Sequence, residues 1–243
     1  MINMKSLDYE RISVIIPAAG VGKRMGAEIP KPFLLLLNKP ILWYTLNRFL
    51  NNRFVDELIL VVSSDLKDNA VELVNCLDSD IPVKIIVGGS ERQDSVWNGI
   101  QSVNEKNSVI LVHDAVRPFF APTVIHDGLQ SLKTFHGAAA GIPIVHTVKR
   151  AEGQKIVETI PRDNLIQIHT PQIFHASVLK DVYNKAYSQG FYGTDECMLA
   201  ERYGYSLAII PDTPENIKIT TPFDLVTAEY LVKKYDTSYW PGL

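Results

Sequence analysis

Short β-branched runs alternate with amphipathic stretches through the first half of the chain, and that rhythm limits the folds open to it. Ile12–Ile16, Glu57–Val62, Val83–Val87 and Val109–Val112 read as strands. Between them, Ile41–Leu50, Leu66–Leu77 and Arg92–Ser102 carry apolar residues at helical spacing. A helix between two strands returns the chain to the same end of the sheet, so the strands run parallel. The pattern predicts an α/β protein with a mainly parallel, twisted sheet and helices on both faces. Ligands of such sheets sit beyond the carboxyl ends of the strands. Gly20, Gly88-Gly89 and Asp114 each follow a strand, so all three belong to that edge.

The loop after the first strand, Pro17-Ala18-Ala19-Gly20-Val21-Gly22-Lys23-Arg24-Met25-Gly26 with Lys31 beyond, is rich in small residues and cations. Bare backbone lets a ligand approach its N–H groups, and Lys23, Arg24 and Lys31 add positive charge, which together suit a polyphosphate. A dinucleotide fingerprint needs G-x-G-x-x-G, whereas Gly20, Gly22 and Gly26 are one residue too widely spaced. A P-loop needs Ser or Thr after its lysine, whereas Arg24 follows Lys23 and Pro32 follows Lys31. The bland alternative is a tight turn with solvated charges.

A second glycine turn, Gly88-Gly89-Ser90-Glu91-Arg92-Gln93-Asp94-Ser95, leads into a helix. Ser90 and Ser95 can hydrogen-bond the edge of a planar base, or Ser90 can simply cap the helix. Asp114, at the end of a buried strand, is a natural Mg²⁺ ligand where phosphates share the coordination. Arg117 can hold Asp114 or reach a phosphate, and a purely structural Asp–Arg pair is the alternative. His113 reads as a packed strand-end histidine. In Pro214–Thr221 the residues alternate, placing Ile217 and Ile219 on one side and Lys218 on the other.

After His136 the rhythm breaks. Gly141–Arg150, the turn Ala151–Gln154 and Lys155–Thr159 read as an inserted β-hairpin with apolar strands. Such a hairpin either completes a dimer as a protruding arm or folds back on its own domain. Helices over Ala176–Gln189 and Asp195–Tyr203, a strand over Leu207–Ile210 and a helix over Phe223–Lys234 complete the pattern. The 243 residues suit one large α/β domain, and 46% hydrophobic residues supply its core. A net charge of −3 argues against general nucleic-acid binding, so the clustered cations point to a small anionic ligand. Cys76 and Cys197 have no metal-binding spacing and read as free core thiols of a reducing cytosol. With no apolar leader and no membrane-length run, a cytoplasmic protein without a membrane partner is expected.

The set PAAGVGKRMG…PK, GGSERQDSV, VHDAVRPF, TPQIF, TDE and ENIKITTP, in this order, closely resembles the 2-C-methyl-D-erythritol 4-phosphate cytidylyltransferase family from about Ile12 to Tyr230. The resemblance implies a single cytidylyltransferase domain over 1–243 with a Rossmann-like nucleotidyltransferase fold. It implies a homodimer joined by the β-arm, at about 141–165. It also implies transfer of cytidylyl from CTP to methylerythritol 4-phosphate, a step of non-mevalonate isoprenoid synthesis, with Mg²⁺ or another divalent cation.

Carried over by motif, Ala18, Ala19 and Gly20 would contact cytosine and ribose, and Gly89, Ser90 and Ser95 would complete the base pocket. Arg24 and Lys31 would bind the triphosphate, Asp114 the metal, and Lys218 the phosphate oxygens at the reacting centre. Arg117 would lie beside the substrate, with Thr170 and Thr194 nearby. Thr147 and Arg162 of the partner's arm would grip the sugar phosphate. Two positions depart from the family pattern: Ser90 stands where Asp is common, and Pro32 where Gln is common. Pro32 is expected to hold Lys31 extended. A ribitol 5-phosphate cytidylyltransferase and a nucleotide-binding module without catalysis are the alternatives, while a dehydrogenase is disfavoured by the glycine spacing.

Overall fold

The computed structural model describes residues 9, 11–20, 30–103, 108–235 and 240. In chain order the first elements are β1 (Ile12–Pro17), the short pair β2 (Leu35–Leu36) and β3 (Lys39–Pro40), α1 (Ile41–Leu50), β4 (Glu57–Val62) and α2 (Lys67–Asn75). They are followed by β5 (Val83–Val87), α3 (Arg92–Gln101), β6 (Val109–Val112), α4 (Val124–Ser131) and β7 (Gly137–Pro143). Next come β8 (Val148–Glu152), β9 (Lys155–Ile160), β10 (Ile166–His175) and α5 (Ala176–Ser188). The chain ends with α6 (Glu196–Arg202), β11 (Leu207–Pro211) and α7 (Pro222–Lys234).

One seven-stranded sheet carries the fold, in the order β11-β7-β10-β6-β1-β4-β5. β6, β1, β4 and β5 pair in parallel, as the βαβ rhythm requires, and β11 pairs in parallel with β7. β10 runs antiparallel to both its neighbours, so its start, Ile166–Thr170, reaches the same edge as the carboxyl ends of β1 and β6. β1 shows why the core has two sides. Val14 and Ile16 face α1, α4 and α7, while Ile15 faces α3 and α5. That alternation is the strand period of two, and each of these fully buried side chains contributes roughly 1.5–3 kcal/mol by leaving water.

The expected hairpin exists as the separate pair β8–β9, but its flank belongs elsewhere: Gly141–Pro143 is the end of β7 in the main sheet. Ile156 and Val157 remain exposed on the hairpin, at 64% and 44%. Cys197 is buried and Cys76 is exposed, so only one of the two free thiols is a core residue. No helix among the described residues is long and apolar enough to cross a membrane.

Candidate active site

β1 delivers Ala18, Ala19 and Gly20 to the carboxyl edge of the sheet, where the Ala18 N–H donates to the Val61 carbonyl at 2.7 Å. A Cβ at Gly20 would meet no atom of the described residues within 4 Å. Gly88 differs. A Cβ there would fall 2.6 Å from Ser95 Oγ and 2.7 Å from Ala19 Cβ, so the two loops approach too closely for any side chain. Ser95 fastens the turn: its hydroxyl accepts from the Gly89 N–H at 3.2 Å and donates to the Glu91 carbonyl at 3.1 Å. Ser90 does not cap α3. Glu91 occupies that place in a reciprocal capping box with Asp94, and the Ser90 hydroxyl donates to Asp94 Oδ2 at 2.8 Å.

These turns, with Lys31, Asp114 and Lys218, enclose a cavity of about 230 Å³. Lys31 is not extended as its proline neighbour suggested. The N–H groups of Phe33 and Leu34 bond the carbonyls of Pro30 and Lys31 at 2.9 and 3.1 Å, winding Lys31–Phe33 into one 3₁₀ turn. Pro32 fits there because the first turn of a helix leaves its N–H unused. The Lys31 ammonium lies 3.4 Å from the Thr220 carbonyl.

Asp114, buried just past β6, is the electrostatic centre. Its Oδ2 accepts from Lys218 Nζ at 2.9 Å and from Arg117 Nε at 3.0 Å, while Oδ1 lies 3.9 Å from Arg92 Nε. Burial by itself raises a carboxyl pKa, but Lys218, Arg92 and Arg117 outweigh it and hold Asp114 well below the usual carboxylate range. The Asp114 N–H donates to Thr170 Oγ1 at 3.0 Å, so β10 fixes the same residue from behind. Arg117 Nη1 donates to the Asn216 carbonyl at 2.8 Å, and the Asn216 amide donates to the Thr170 carbonyl at 2.9 Å and Asp212 Oδ2 at 2.6 Å. With Ile219 fully buried, this network sets the backbone from which Lys218 projects.

His113 plays a packing part, as expected. Its Nε2 lies 2.8 Å from the Arg117 carbonyl, which can only accept, so Nε2 carries the proton. Nδ1 is buried without a partner among the described residues, and burial pushes the ring's pKa down to about 4.

A second cavity, about 200 Å³, shares Arg92, Asp114 and Lys218 with the first and adds Arg117, Thr170 and Thr194. A third, about 640 Å³, shares Arg117, His169 and Lys218 with the second and extends to Val145 and His146 at the root of the hairpin. Lys218 therefore borders all three. Sequence spacing alone assigns no role to Arg92. It heads α3 directly behind Gly88-Gly89, and its side chain lines two cavities.

The model of the 2-C-methyl-D-erythritol 4-phosphate cytidylyltransferase family (IspD) matches residues 12–234. The chain belongs to this family. A relative of that name from Clostridium botulinum strain 657 is 39% identical over 223 residues, covering 91% of this chain and 97% of its own. Another, from Halalkalibacterium halodurans, is 37% identical over 220 residues, covering 90% of this chain and 96% of its own. Among solved structures, 4-diphosphocytidyl-2C-methyl-D-erythritol synthase of Anaerococcus prevotii superposes with a TM-score of 0.80 at 26% identity, covering 92% of this chain and 96% of its own. The Thermus thermophilus cytidylyltransferase gives 0.76 at 27% identity, covering 92% and 99%.

In this cytidylyltransferase-family chain, Ala18, Ala19, Gly20, Lys31, Gly89, Ser90, Ser95, Asp114 and Lys218 all line the first cavity. Arg117, Thr170 and Thr194 line the second. Thr147 and Arg162 are exposed and line none of the three, and Arg162 donates to the Val145 carbonyl at the root of the hairpin. Arg24 lies outside the described residues.

Proposed function

We propose that the protein transfers the cytidylyl group of CTP to 2-C-methyl-D-erythritol 4-phosphate, releasing pyrophosphate, in isoprenoid biosynthesis. Besides the family match, one observation carries this reading: two cavities adjoin across Asp114 and Lys218, one bordered by glycine turns and the other by Arg117, Thr170 and Thr194. A nucleotide in the first, with its base on Gly89, Ser90 and Ser95 and its ribose on Ala18–Gly20, would turn its α-phosphate toward an acceptor in the second. The acceptor phosphate is ionised at neutral pH, so no general base is needed. Its oxygen forms the new bond to the α-phosphorus as the bond to the bridging oxygen of pyrophosphate breaks in line. Lys31, Lys218 and Arg24 would neutralise the charge that builds on the phosphate oxygens.

A divalent cation is compatible with the donors present. Among the described residues no cluster of three His, Cys, Asp or Glu exists, and Asp114 is already paired with Arg92, Arg117 and Lys218, so phosphate oxygens and water would supply most of the ion's ligands, with Asp114 its one carboxylate donor. Bound there, the ion supplies further charge neutralisation to the triphosphate. The exposed Ile156 and Val157 support the hairpin as a dimer arm, which would bring Thr147 and Arg162 to the partner's acceptor cavity. A cytoplasmic location suits water-soluble substrates of this kind.

Pyrophosphate release measured over a panel of nucleotides and sugar phosphates tests the assignment. CTP with methylerythritol 4-phosphate is expected to give the highest kcat/KM; a preference for ribitol 5-phosphate, or no turnover with any pair, would overturn it.

A further inference from the structure

A buried histidine–aspartate pair stands on the acceptor side of the site, outside the groups assigned to the transfer. Its histidine is His169. β10 loses register with β7 between Ile168 and Gln172, so His169 and Thr170 border one cavity instead of facing opposite sides of the sheet. The His169 side chain is only 3% exposed, and it lines both the second and the third cavity. Its Nδ1 lies 2.9 Å from Asp212 Oδ2. Burial by itself raises the Asp212 pKa, but hydrogen bonds from His169, Asn216 and the Ala121 N–H outweigh it and lower it below the usual value. An ionised Asp212 only accepts, so Nδ1 carries the ring proton and Nε2 presents a lone pair.

Nε2 makes no hydrogen bond among the described residues. The carboxylates that share its cavities are already committed. Asp212 also holds the Asn216 amide and the Ala121 N–H, Asp195 holds the Gln172 amide and the Met198 N–H, and Asp224 holds Thr220. Arg117 and Lys218, the cations that border the same two cavities, can only donate. Nε2 is thus a buried acceptor kept open among donors.

We infer that His169, its tautomer fixed by Asp212, accepts a hydrogen bond from a hydroxyl of the acceptor polyol and so reads the sugar part of the second substrate. The acceptor phosphate would sit beside Lys218 and Arg117 to reach the α-phosphorus. The polyol then extends toward the third cavity, past His169, which borders both. A hydroxyl needs an acceptor for its proton, and a neutral imidazole nitrogen supplies one without repelling the phosphate. Asp212 touches no substrate in this scheme; it is a positioning residue that acts through His169. The inference rests on the transfer to a polyol phosphate proposed for this site.

Steady-state kinetics of His169 variants separate this role from mere support of Asp212. An asparagine amide nitrogen falls near the place of Nδ1, whereas a glutamine amide reaches that of Nε2. H169N keeps the bond to Asp212 and removes the acceptor. It is expected to lower kcat/KM for methylerythritol 4-phosphate about tenfold while KM for CTP stays within about twofold of wild type. H169Q offers its carbonyl oxygen in place of Nε2 and is expected to recover to within about threefold of wild type. A structural role alone predicts the reverse order, because only asparagine then keeps the Asp212 bond. The monodeoxy analogues of methylerythritol 4-phosphate identify the group that is read. One of them is expected to be about tenfold poorer than the full substrate with the wild type, yet no poorer with H169N. If H169N fails a thermal-melt check of folding, H169F against H169Q carries the comparison, since of these two only glutamine accepts. H169N equal to wild type, H169Q poorer than H169N, H169F equal to H169Q, or analogues that lose equally with both proteins would overturn the inference. A wild type that turns over no polyol phosphate would instead overturn the proposed transfer, and this inference with it.

Discussion

Single side chains divide into those whose chemistry is local in sequence and those that matter through distant partners. Asp114, Arg117 and Lys218 were legible because strand ends, short spacing and alternation place them without knowledge of the fold. Arg92 and Glu196 were not: their pairing spans 104 positions, and neither segment alone hints at a buried carboxylate. Ser90 is the converse case: the cap that its residue type offers as an alternative reading is supplied by Glu91, which accepts from the Asp94 N–H. Lys218 carries the sharpest residue-level expectation. It borders every cavity of the site and sits 2.9 Å from Asp114, so Lys218→Ala should lower kcat about 10²–10³-fold while the protein still folds. Steady-state kinetics decide it; wild-type kcat would remove Lys218 from the reacting centre.

At the level of elements, β1, β4, β5, β6 and α1 fall where apolar periodicity places them; β1, β4 and β6 are buried on both faces and read as continuous apolar runs, while β5 is the half-exposed edge strand. β7 and β10 escaped that reading. The first half of β7 is glycine and alanine, small because Phe174 of β10 packs over it: a Cβ on Gly137 would lie 2.3 Å from that ring. β10 carries Gln167, His169, Thr170 and Gln172, polar residues used by the site and its supports. Glu57, at the start of β4, ties three strands together: Ser13 donates to it at 2.7 Å, with Lys84 at 2.9 Å and Arg11 at 3.3 Å. Burial raises its pKa, but the Ser13 and Lys84 hydrogen bonds and the two cations outweigh that and lower it below the usual value. A depressed carboxyl stabilises above its unfolded pKa and loses that contribution as pH falls below about 4.5. Melting curves from pH 7 to pH 3.5 should therefore fall more steeply for the wild type than for Glu57→Gln. That variant should start lower at pH 7, by about 1–3 kcal/mol. Parallel curves would refute the role.

For the whole molecule, the proposed dimer assigns part of the site to a second chain. Thr147 and Arg162 are exposed near the hairpin and line none of the three site cavities, which is the pattern expected of groups that serve a partner. Arg162→Ala and Lys218→Ala should each be nearly inactive alone. Mixed after unfolding and refolding together, half of the dimers are heterodimers, each with one site carrying both residues. Activity should recover to about a quarter of wild type, and no recovery would place Arg162 in its own chain's site. The architecture itself, parallel strands delivering two glycine turns and Asp114 to one edge, was legible from spacing. The adjacency of the cavities was not, because it depends on β10 running antiparallel and bringing Thr170 against Asp114. The central claim is attack at the α-phosphorus of CTP by a sugar phosphate. A single turnover with CTP labelled at that phosphorus tests it most directly: all label should appear in a cytidine diphosphate ester of methylerythritol, with the pyrophosphate unlabelled. Label recovered in unreacted CTP or in free CMP would contradict it.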